Sequence, residues 1–420
     1  MTTTIATDVD DSAERMKAKA VAQKQRPGFA IDPYFYRSHA TFAKELDDIL
    51  FRSWLYAGHV SQIPEPGDFL QYELGEDAII VSRDLEGEVQ AQFNICRHRG
   101  SRVCEQQQGN TRTFVCPYHG WVYNLDGSLR AAREMEALVG FEPDDYSLKK
   151  PQMVVFQGLI FVNCDPDAAP FEPDLAKVEP ALAGYDLGSA KVIASRTYVV
   201  DANWKLALEN YLECYHCATA HRAYAKMHTL KEPYCQVEDV NEAMLARAEQ
   251  RTGVAGVTTD LYEVYGYAPK HGGGVYTSRY ALYDGFLTGS EDGQPVAPLM
   301  GDFKGYDGGA GDFQLGPFCF MLNYPDHCVL YRFTPRALNH TDMEIVWFVR
   351  GDAVEGVDYD VDKVTWLWHR TTLEDEFIIT RNSAGVNSRF FEPGPYHPEH
   401  EKNSIDFVTW YLDCLTDETR

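Results

Sequence analysis

The sequence predicts an α+β fold in two domains: a small all-β unit, then a larger unit with a central antiparallel sheet covered by helices. Three observations carry that prediction. The chain has 420 residues, too many for one ordinary core. From Leu55 to about Asn163, apolar residues come in short runs separated by turn residues, the mark of strands. Beyond a Pro- and Asp-rich linker, NCDPDAAPFEPD (Asn163–Asp174), strand-like runs alternate with stretches of helical period.

Taken in order, residues 1–27 read as a mobile arm ending in RPG, without apolar periodicity. Residues 28–54 contain a helix in ATFAKELDDILFRSW (Ala40–Trp54). There Phe42, Leu46, Ile49 and Leu50 recur at helical spacing and offer a face to the larger domain. The β unit spans 55–165. DAIIVSRDLEGEVQAQF predicts two strands around a Glu-Gly turn, and VVFQGLIFVN predicts another hairpin. The larger unit, 166–420, starts with a strand in KVIASRTYVVD and a helix through ENYLECYHCATAH (Glu209–His221). A Gly- and Tyr-rich insertion near 260–315 follows. After it come strands in PFCFMLNY, HCVLYRFTP and MEIVWFVRG, and a helix from about Asp360 to Asn382.

No apolar run approaches the roughly 18 to 20 residues a membrane helix needs. The first residues, MTTTIATDVDDSAER, are acidic and polar, which fits neither a secretory signal nor an Arg-rich transit peptide. A cytoplasmic location is the expectation. In that reducing compartment the ten cysteines point to metal or catalytic roles before disulfides. A formal net charge of −25 argues against nucleic acid, whose phosphates are met by clustered Lys and Arg. The same charge could attract a cationic small molecule, or it could simply reflect an acidic surface.

Residues 94–122 read NICRHRGSRVCEQQQGNTRTFVCPYHGWV. Cys96-x-His98 and Cys116-x-x-His119 each follow a strand, where a turn can aim both side chains one way. Two thiolates and two imidazoles suit tetrahedral zinc. They equally suit a [2Fe–2S] centre in which two histidines replace two cysteines on one iron. The C-x-H and C-x-x-H loops, with flanking RHRG and PYHGW, resemble the Rieske motif and favour the second reading. Respiratory Rieske proteins carry an extra cysteine in each loop. Here Cys104 lies too far along, and Tyr118 takes the matching place in the second loop. Cys104 is expected to be a core thiol. Trp121 stands where the respiratory proteins have a hydroxyl near sulfur, so fewer hydrogen bonds and a lower potential are expected. The likeness is to the oxygenase type.

In WKLALENYLECYH, Trp204, Leu208, Leu212 and Tyr215 recur as a core-facing stripe, with Asp201 or Asn203 as the cap. Glu209, Glu213 and His216 form an adjoining stripe. His221, five residues after His216, would sit about 140° round a regular helix, so a shared metal requires a wide π-type turn near Ala218–Ala220. Cys214 and Cys217 form a C-x-x-C that could mean zinc or redox work, and they read here as packing residues. Glu213-x-x-His216-x4-His221, preceded by Asn203-Trp204-Lys205, resembles the mononuclear iron motif of Rieske non-heme iron oxygenase α subunits. The resemblance spans nearly the whole chain.

That resemblance implies a mononuclear Fe(II) held by His216, His221 and a late-helix carboxylate. TTLEDEFIITRNSAGVNS offers Glu374, Asp375 and Glu376, and the family's spacing to a glycine, here Gly385, selects Asp375. It implies that Glu213 bridges His216 to His119 of a neighbouring copy in a ring, most often a homotrimer. The chain has no nucleotide-binding motif where a strand meets a helix. The resemblance therefore implies NAD(P)H electrons delivered by a separate flavin and iron–sulfur reductase, with O2 as co-substrate. Arg97, Arg99 and Arg102 offer a docking face for an acidic partner. ENYLECYHC, AVEGVDYDV (Ala353–Val361), EPGPY (Glu392–Tyr396) and FVTWY look like the glycine betaine, stachydrine and carnitine branch, which N-demethylates quaternary ammonium compounds with release of formaldehyde. Such a cation is met by aromatic faces. Tyr262, Tyr265, Tyr267, Tyr276, Tyr280, Tyr283 and Phe286 are the candidates. Ring hydroxylation of an aromatic acid is the alternative within the family. A Rieske electron-transfer protein with a non-catalytic second domain is the alternative outside it.

Overall fold

The computed structural model describes residues 11–228, 239–244, 246 and 274–416. In the β unit, β2 (Asp68–Leu74), β3 (Asp77–Arg83) and β4 (Val89–Phe93) pair antiparallel, and β5 (Gln108–Asn110) joins the free edge of β2. A second small sheet contains β6 (Phe114–Val115), β7 (Val122–Tyr123) and β8 (Leu129–Ala131). In the third, β1 (Leu55–His59) pairs with β10 (Leu159–Asn163), which pairs with β9 (Gln152–Phe156). Gln157 and Gly158, with φ of 50° and 77°, make the tight β9–β10 turn. A side chain at Gly158 would meet His59 Nε2 at 2.4 Å, so the position demands glycine.

The strand period of two explains how this unit is seated. Phe69 and Ile80 face a small core with Trp121, Tyr123 and the buried Cys96 and Cys116. Their neighbours Leu70, Tyr72, Ile79 and Val81 face the other way, into the main core of the larger unit. One sheet therefore walls two cores.

The larger unit is built on a six-stranded antiparallel sheet. Its strands are β11 (Ala190–Val200), β12 (Val275–Ala281), β13 (Gly309–Leu315), β14 (Cys319–Asn323), β15 (Cys328–Ala337) and β16 (His340–Arg350), in the order β11-β16-β15-β14-β13-β12. On one face Phe320, Leu322, Tyr331 and Phe333 pack against the helices Trp204–Tyr211 and Val361–Val386. On the other, Cys319, Met321, Cys328 and Leu330 pack against Phe171, Leu175 and Val178 of the helix region Glu172–Leu182. Among the described residues no helix is long and apolar enough to cross a membrane.

Several elements differ from the sequence expectation. The arm expected over 1–27 contains a helix, Ala13–Lys24, capped by Ser12 and packed through Met16 and Ala20. Two small contacts gave too weak a period to reveal it. Lys24 ties it to Asp413 of a C-terminal helix, Lys402–Thr416. The single helix expected in Ala40–Trp54 is a short helix, His39–Glu45, continued by a π turn over Leu46–Leu50. The stretch expected as an insertion near 260–315 supplies β12 and β13 over its described part, completing the sheet.

Candidate metal centres and cavity

The two loops of the β unit are built alike. Gly100 donates to the Cys96 carbonyl and Gly120 to that of Cys116, while Cys96 donates to Ser101 and Cys116 to Trp121. Both glycines have positive φ, 79° and 71°. Each loop thus turns on a glycine four residues after its cysteine. The turns bring His98 Nδ1 to 3.2 Å from His119 Nδ1, above two buried cysteines. Trp121 stacks on the His98 ring at 4.9 Å, and Tyr118 lies against His119, which is exposed. Two ring nitrogens facing each other over two thiols are a donor set for zinc or for a [2Fe–2S] cluster.

Trp121 brings no hydroxyl to the sulfurs, but one hydroxyl does reach a cysteine from another position. Tyr123 Oη lies 3.3 Å from Cys96 Sγ. The Arg97 amide donates to that same oxygen at 3.0 Å, which leaves the hydroxyl proton for the sulfur. Tyr123 reads as a core residue of a strand, and no sequence signal marked its hydroxyl. Cys104 is buried beside this core. Arg102, expected to be a docking residue, pairs with Glu73 at 3.6 Å; Arg99 lies over the Tyr118 ring.

The second cluster is assembled by a broken helix. Asn203 caps Trp204–Tyr211 by accepting from the Lys205 amide. Helix stops at Tyr211, resumes for one turn over Cys217–Ala220, and breaks again at His221 (φ −115°, ψ 74°) before Arg222–Met227. Glu213 reaches forward to accept from the Tyr215 and His216 amides, filling the gap. The two breaks, and not a π turn at Ala218–Ala220, bring His216 Nε2 to 3.1 Å from His221 Nε2.

Because the helix stops, the stripes expected beyond it fail. Tyr215 is 58% exposed and stacks on His400. Glu209 points away from His216 and accepts from Tyr36 Oη (2.8 Å) and Tyr396 Oη (2.6 Å). Cys214 and Cys217, read as packing thiols, are joined in a disulfide; a turn holds their Cα atoms 4.9 Å apart, within bridging range.

The long helix Val361–Val386 supplies the third donor. Asp375 Oδ1 lies 2.9 Å from His221 Nε2 and 3.5 Å from His216 Nε2. It is buried and receives no hydrogen bond among the described residues. The far nitrogens are already engaged: His216 Nδ1 with Glu213 Oε1 at 2.5 Å, and His221 Nδ1 with Glu374 Oε2 at 3.1 Å. Both Nδ1 protons are thereby fixed, and two Nε2 lone pairs and a carboxylate oxygen converge. Asn210 Nδ2 also lies 3.3 Å from His216 Nε2, and a proton or a metal ion is what such a set of acceptors attracts. Burial opposes a charged His216, but the Asp375 and Glu213 carboxylates outweigh it and raise its pKa to about 9. Two histidines and one carboxylate fit Fe(II) with open positions. Cys217 Sγ lies near the same nitrogens, yet its sulfur is bonded to Cys214.

A cavity of about 360 Å³ opens beside these three residues. Of the expected aromatics, Tyr276 and Tyr280 line it, Tyr283 and Phe286 do not, and Tyr262, Tyr265 and Tyr267 lie outside the described residues. Tyr211, Tyr224 and Trp368 also line it. Their signal was helical spacing: Trp368 lies two turns before Asp375, and Tyr224 one turn after His221.

Comparison with known proteins gives this geometry its context. Residues 53–142 match the Rieske [2Fe-2S] domain, and 187–417 match the ring hydroxylating alpha subunit (catalytic domain). The glycine betaine monooxygenase oxygenase subunit of Pseudomonas aeruginosa (strain UCBPP-PA14) is 34% identical, over 92% of this chain and 89% of that protein. The same subunit from Chromohalobacter salexigens is 33% identical, over 97% and 90%. The crystal structure of the quaternary ammonium Rieske monooxygenase CntA with L-carnitine shares the fold, with a TM-score of 0.67 and 18% identity over 97% of this chain and 99% of that one. The catalytic-domain match answers the reading of a non-catalytic second domain. The chain is therefore a member of the ring-hydroxylating Rieske oxygenase α-subunit family, a monooxygenase component that uses a [2Fe–2S] cluster, mononuclear iron, O2 and NAD(P)H electrons relayed by a reductase.

Proposed function

We propose that this protein N-demethylates a quaternary ammonium compound of the betaine type in the cytoplasm, as the oxygenase of a system whose reductase carries flavin and an iron–sulfur cluster. The observation that supports this reading is the cavity wall: Tyr211, Tyr224, Tyr276, Tyr280 and Trp368 surround the space beside His216, His221 and Asp375. A quaternary nitrogen neither donates nor accepts a hydrogen bond, and aromatic faces suit such a cation. The relatives named for glycine betaine and carnitine support the same reading.

In this reading His216, His221 and Asp375 hold Fe(II), and Cys96, His98, Cys116 and His119 hold the cluster. The bound iron supplies O2 activation, and the cluster supplies single electrons. Glu213 and Glu374 fix the two imidazoles with their Nε2 atoms turned inward. The aromatic wall orients one N-methyl group toward that point and excludes water. One oxygen atom enters the methyl C–H bond and the other leaves as water, with two electrons and two protons consumed; the hydroxylated methyl then departs as formaldehyde. Glu213 links His216 to His119 of a neighbouring copy in a trimer, so each site draws electrons from the next chain.

The test supplies the protein with reductase and NADH, and assays formaldehyde across methylated ammonium compounds and aromatic acids. Formaldehyde with a betaine is the expected result. Turnover of an aromatic acid alone would replace this reading with ring hydroxylation.

A further inference from the structure

Strand register places one more acid at the cavity. Asp312, in the middle of β13, pairs with Ser278 of β12 and with Leu322 of β14, and all three residues line the cavity. Its neighbours Gly311 and Phe313 belong to the opposite sheet face, where Phe313 joins the second core. Asp312 is thus held by a central strand on the same face as Tyr276 and Tyr280.

The other acids of the cavity have evident work. Asp375 faces the two imidazoles, Glu213 holds His216 Nδ1, and Glu399 is exposed. For Asp312 no ion pair with Lys or Arg is seen among the described residues. The amide of Phe313 supports it, while burial pushes its carboxyl up to about 7. Aromatic rings surround the same space. Burial, and after it the charge of Asp312, raises the Tyr211 phenol, which places that ring within its field. Tyr224 and Tyr280 are tied to each other through their hydroxyls at 3.1 Å. Tyr211 packs on Phe320 and Tyr331 with centroids 4.4 and 5.1 Å away. Tyr211, Tyr224 and Tyr280 are thus held by neighbouring side chains.

A half-buried carboxylate that faces an aromatic cavity with no ion pair among the described residues is costly to the free protein and attractive to a cation in a medium of low polarity. We infer that Asp312 is the counter-ion for the cationic nitrogen of the substrate, setting the preference of this cavity for quaternary ammonium over neutral ligands of the same shape. The inference rests on the quaternary ammonium reading above and goes beyond it by naming the group that reads the charge. The aromatic rings bind shape and polarisability; Asp312 distinguishes charge.

The experiment compares glycine betaine with its uncharged-head isostere, 3,3-dimethylbutanoate, by calorimetric titration of the holoenzyme. Asp312→Asn keeps the shape and removes the charge. It is expected to weaken glycine betaine by about tenfold or more, one 1.4 kcal/mol step, and the isostere by less than about twofold. Ser278→Lys, directly opposite in register, puts an ammonium beside the carboxylate and should produce the same selective loss; it decides the matter if Asp312→Asn fails to retain the cluster absorbance. Equal losses for both ligands, or an unchanged affinity for glycine betaine, would overturn the role of Asp312 while leaving demethylation by the parent enzyme intact. A parent enzyme that binds no quaternary ammonium compound overturns both readings at once.

Discussion

Lys205 Nζ lies 2.7 Å from Glu45 Oε1, and neither side chain is exposed by more than 1%. Glu45 also accepts from Trp204 Nε1 (2.7 Å) and Tyr411 Oη (2.6 Å). One buried carboxylate thereby clamps the short helix His39–Glu45 and the C-terminal helix onto the start of the segment carrying His216 and His221. Breaking a buried pair on one side leaves an uncompensated charge, which costs about 3–5 kcal/mol. Lys205→Met should lose that much in denaturant unfolding. Lys205→Met combined with Glu45→Gln should recover a large part of it. A single variant within 1 kcal/mol of the parent would show that the pair does not hold these helices together.

Asp375 is the one donor of the convergent set that comes from a distant helix, so its removal should empty one site and spare the other. In Asp375→Ala the visible spectrum of the [2Fe–2S] cluster should persist, while iron falls from about three to about two atoms per chain. Substrate-dependent oxygen uptake should vanish. Unchanged uptake would refute the assignment of Asp375 to the ion.

Tyr123 bears on the potential of the cluster. A hydrogen bond to a thiolate stabilises the more negative, reduced state and so raises the reduction potential. Tyr123→Phe removes that bond and nothing else of the ring. The potential should fall by roughly 50 mV, which is close to a tenfold change for one electron, with the spectrum retained. Protein-film voltammetry reads this directly, and an unmoved potential would mean that the hydroxyl does not reach the sulfur.

Sequence and structure agree where the signal is a local offset between residue types. The glycines four residues after Cys96 and Cys116 turn two loops of the same design, and that design is legible without coordinates. Strand β14 and the stretches Cys328–Tyr331 of β15 and 345–349 of β16 are legible because they are apolar on both faces, each facing a core. The ligand segment was harder. A five-residue spacing between His216 and His221 is met equally by a π turn or by a broken helix, and periodicity cannot separate them. Everything argued from helical phase past Tyr211, the burial of Tyr215 and the alignment of Glu209 with His216, depended on that choice. Groups acting from far away in sequence, such as Tyr36 and Tyr396 on Glu209, left no local trace.

Glu209 yields the pH prediction. Burial pushes its carboxyl up from 4.5 to about 7, although Tyr36 and Tyr396 donate to it and Lys205 is near. Its folded-state pKa is raised, so the folded chain takes up a proton that the unfolded chain releases. Its stabilising contribution is complete below about pH 4.5 and is lost as pH rises through 7. Other buried groups titrate in the same range, so the quantity to measure is a difference. Glu209→Gln copies the protonated side chain at every pH. The stability of this variant relative to the parent should climb between pH 4.5 and 7, by up to about 3 kcal/mol, and then level off. Because Glu209 lies in the last turn of the helix Trp204–Tyr211, which leads into the His216 segment, the same comparison should find iron retention at the His216 site following the parent at low pH and exceeding it above pH 7. A stability difference that stays flat across this window would mean that Glu209 remains charged throughout, with the two tyrosines fully offsetting its burial.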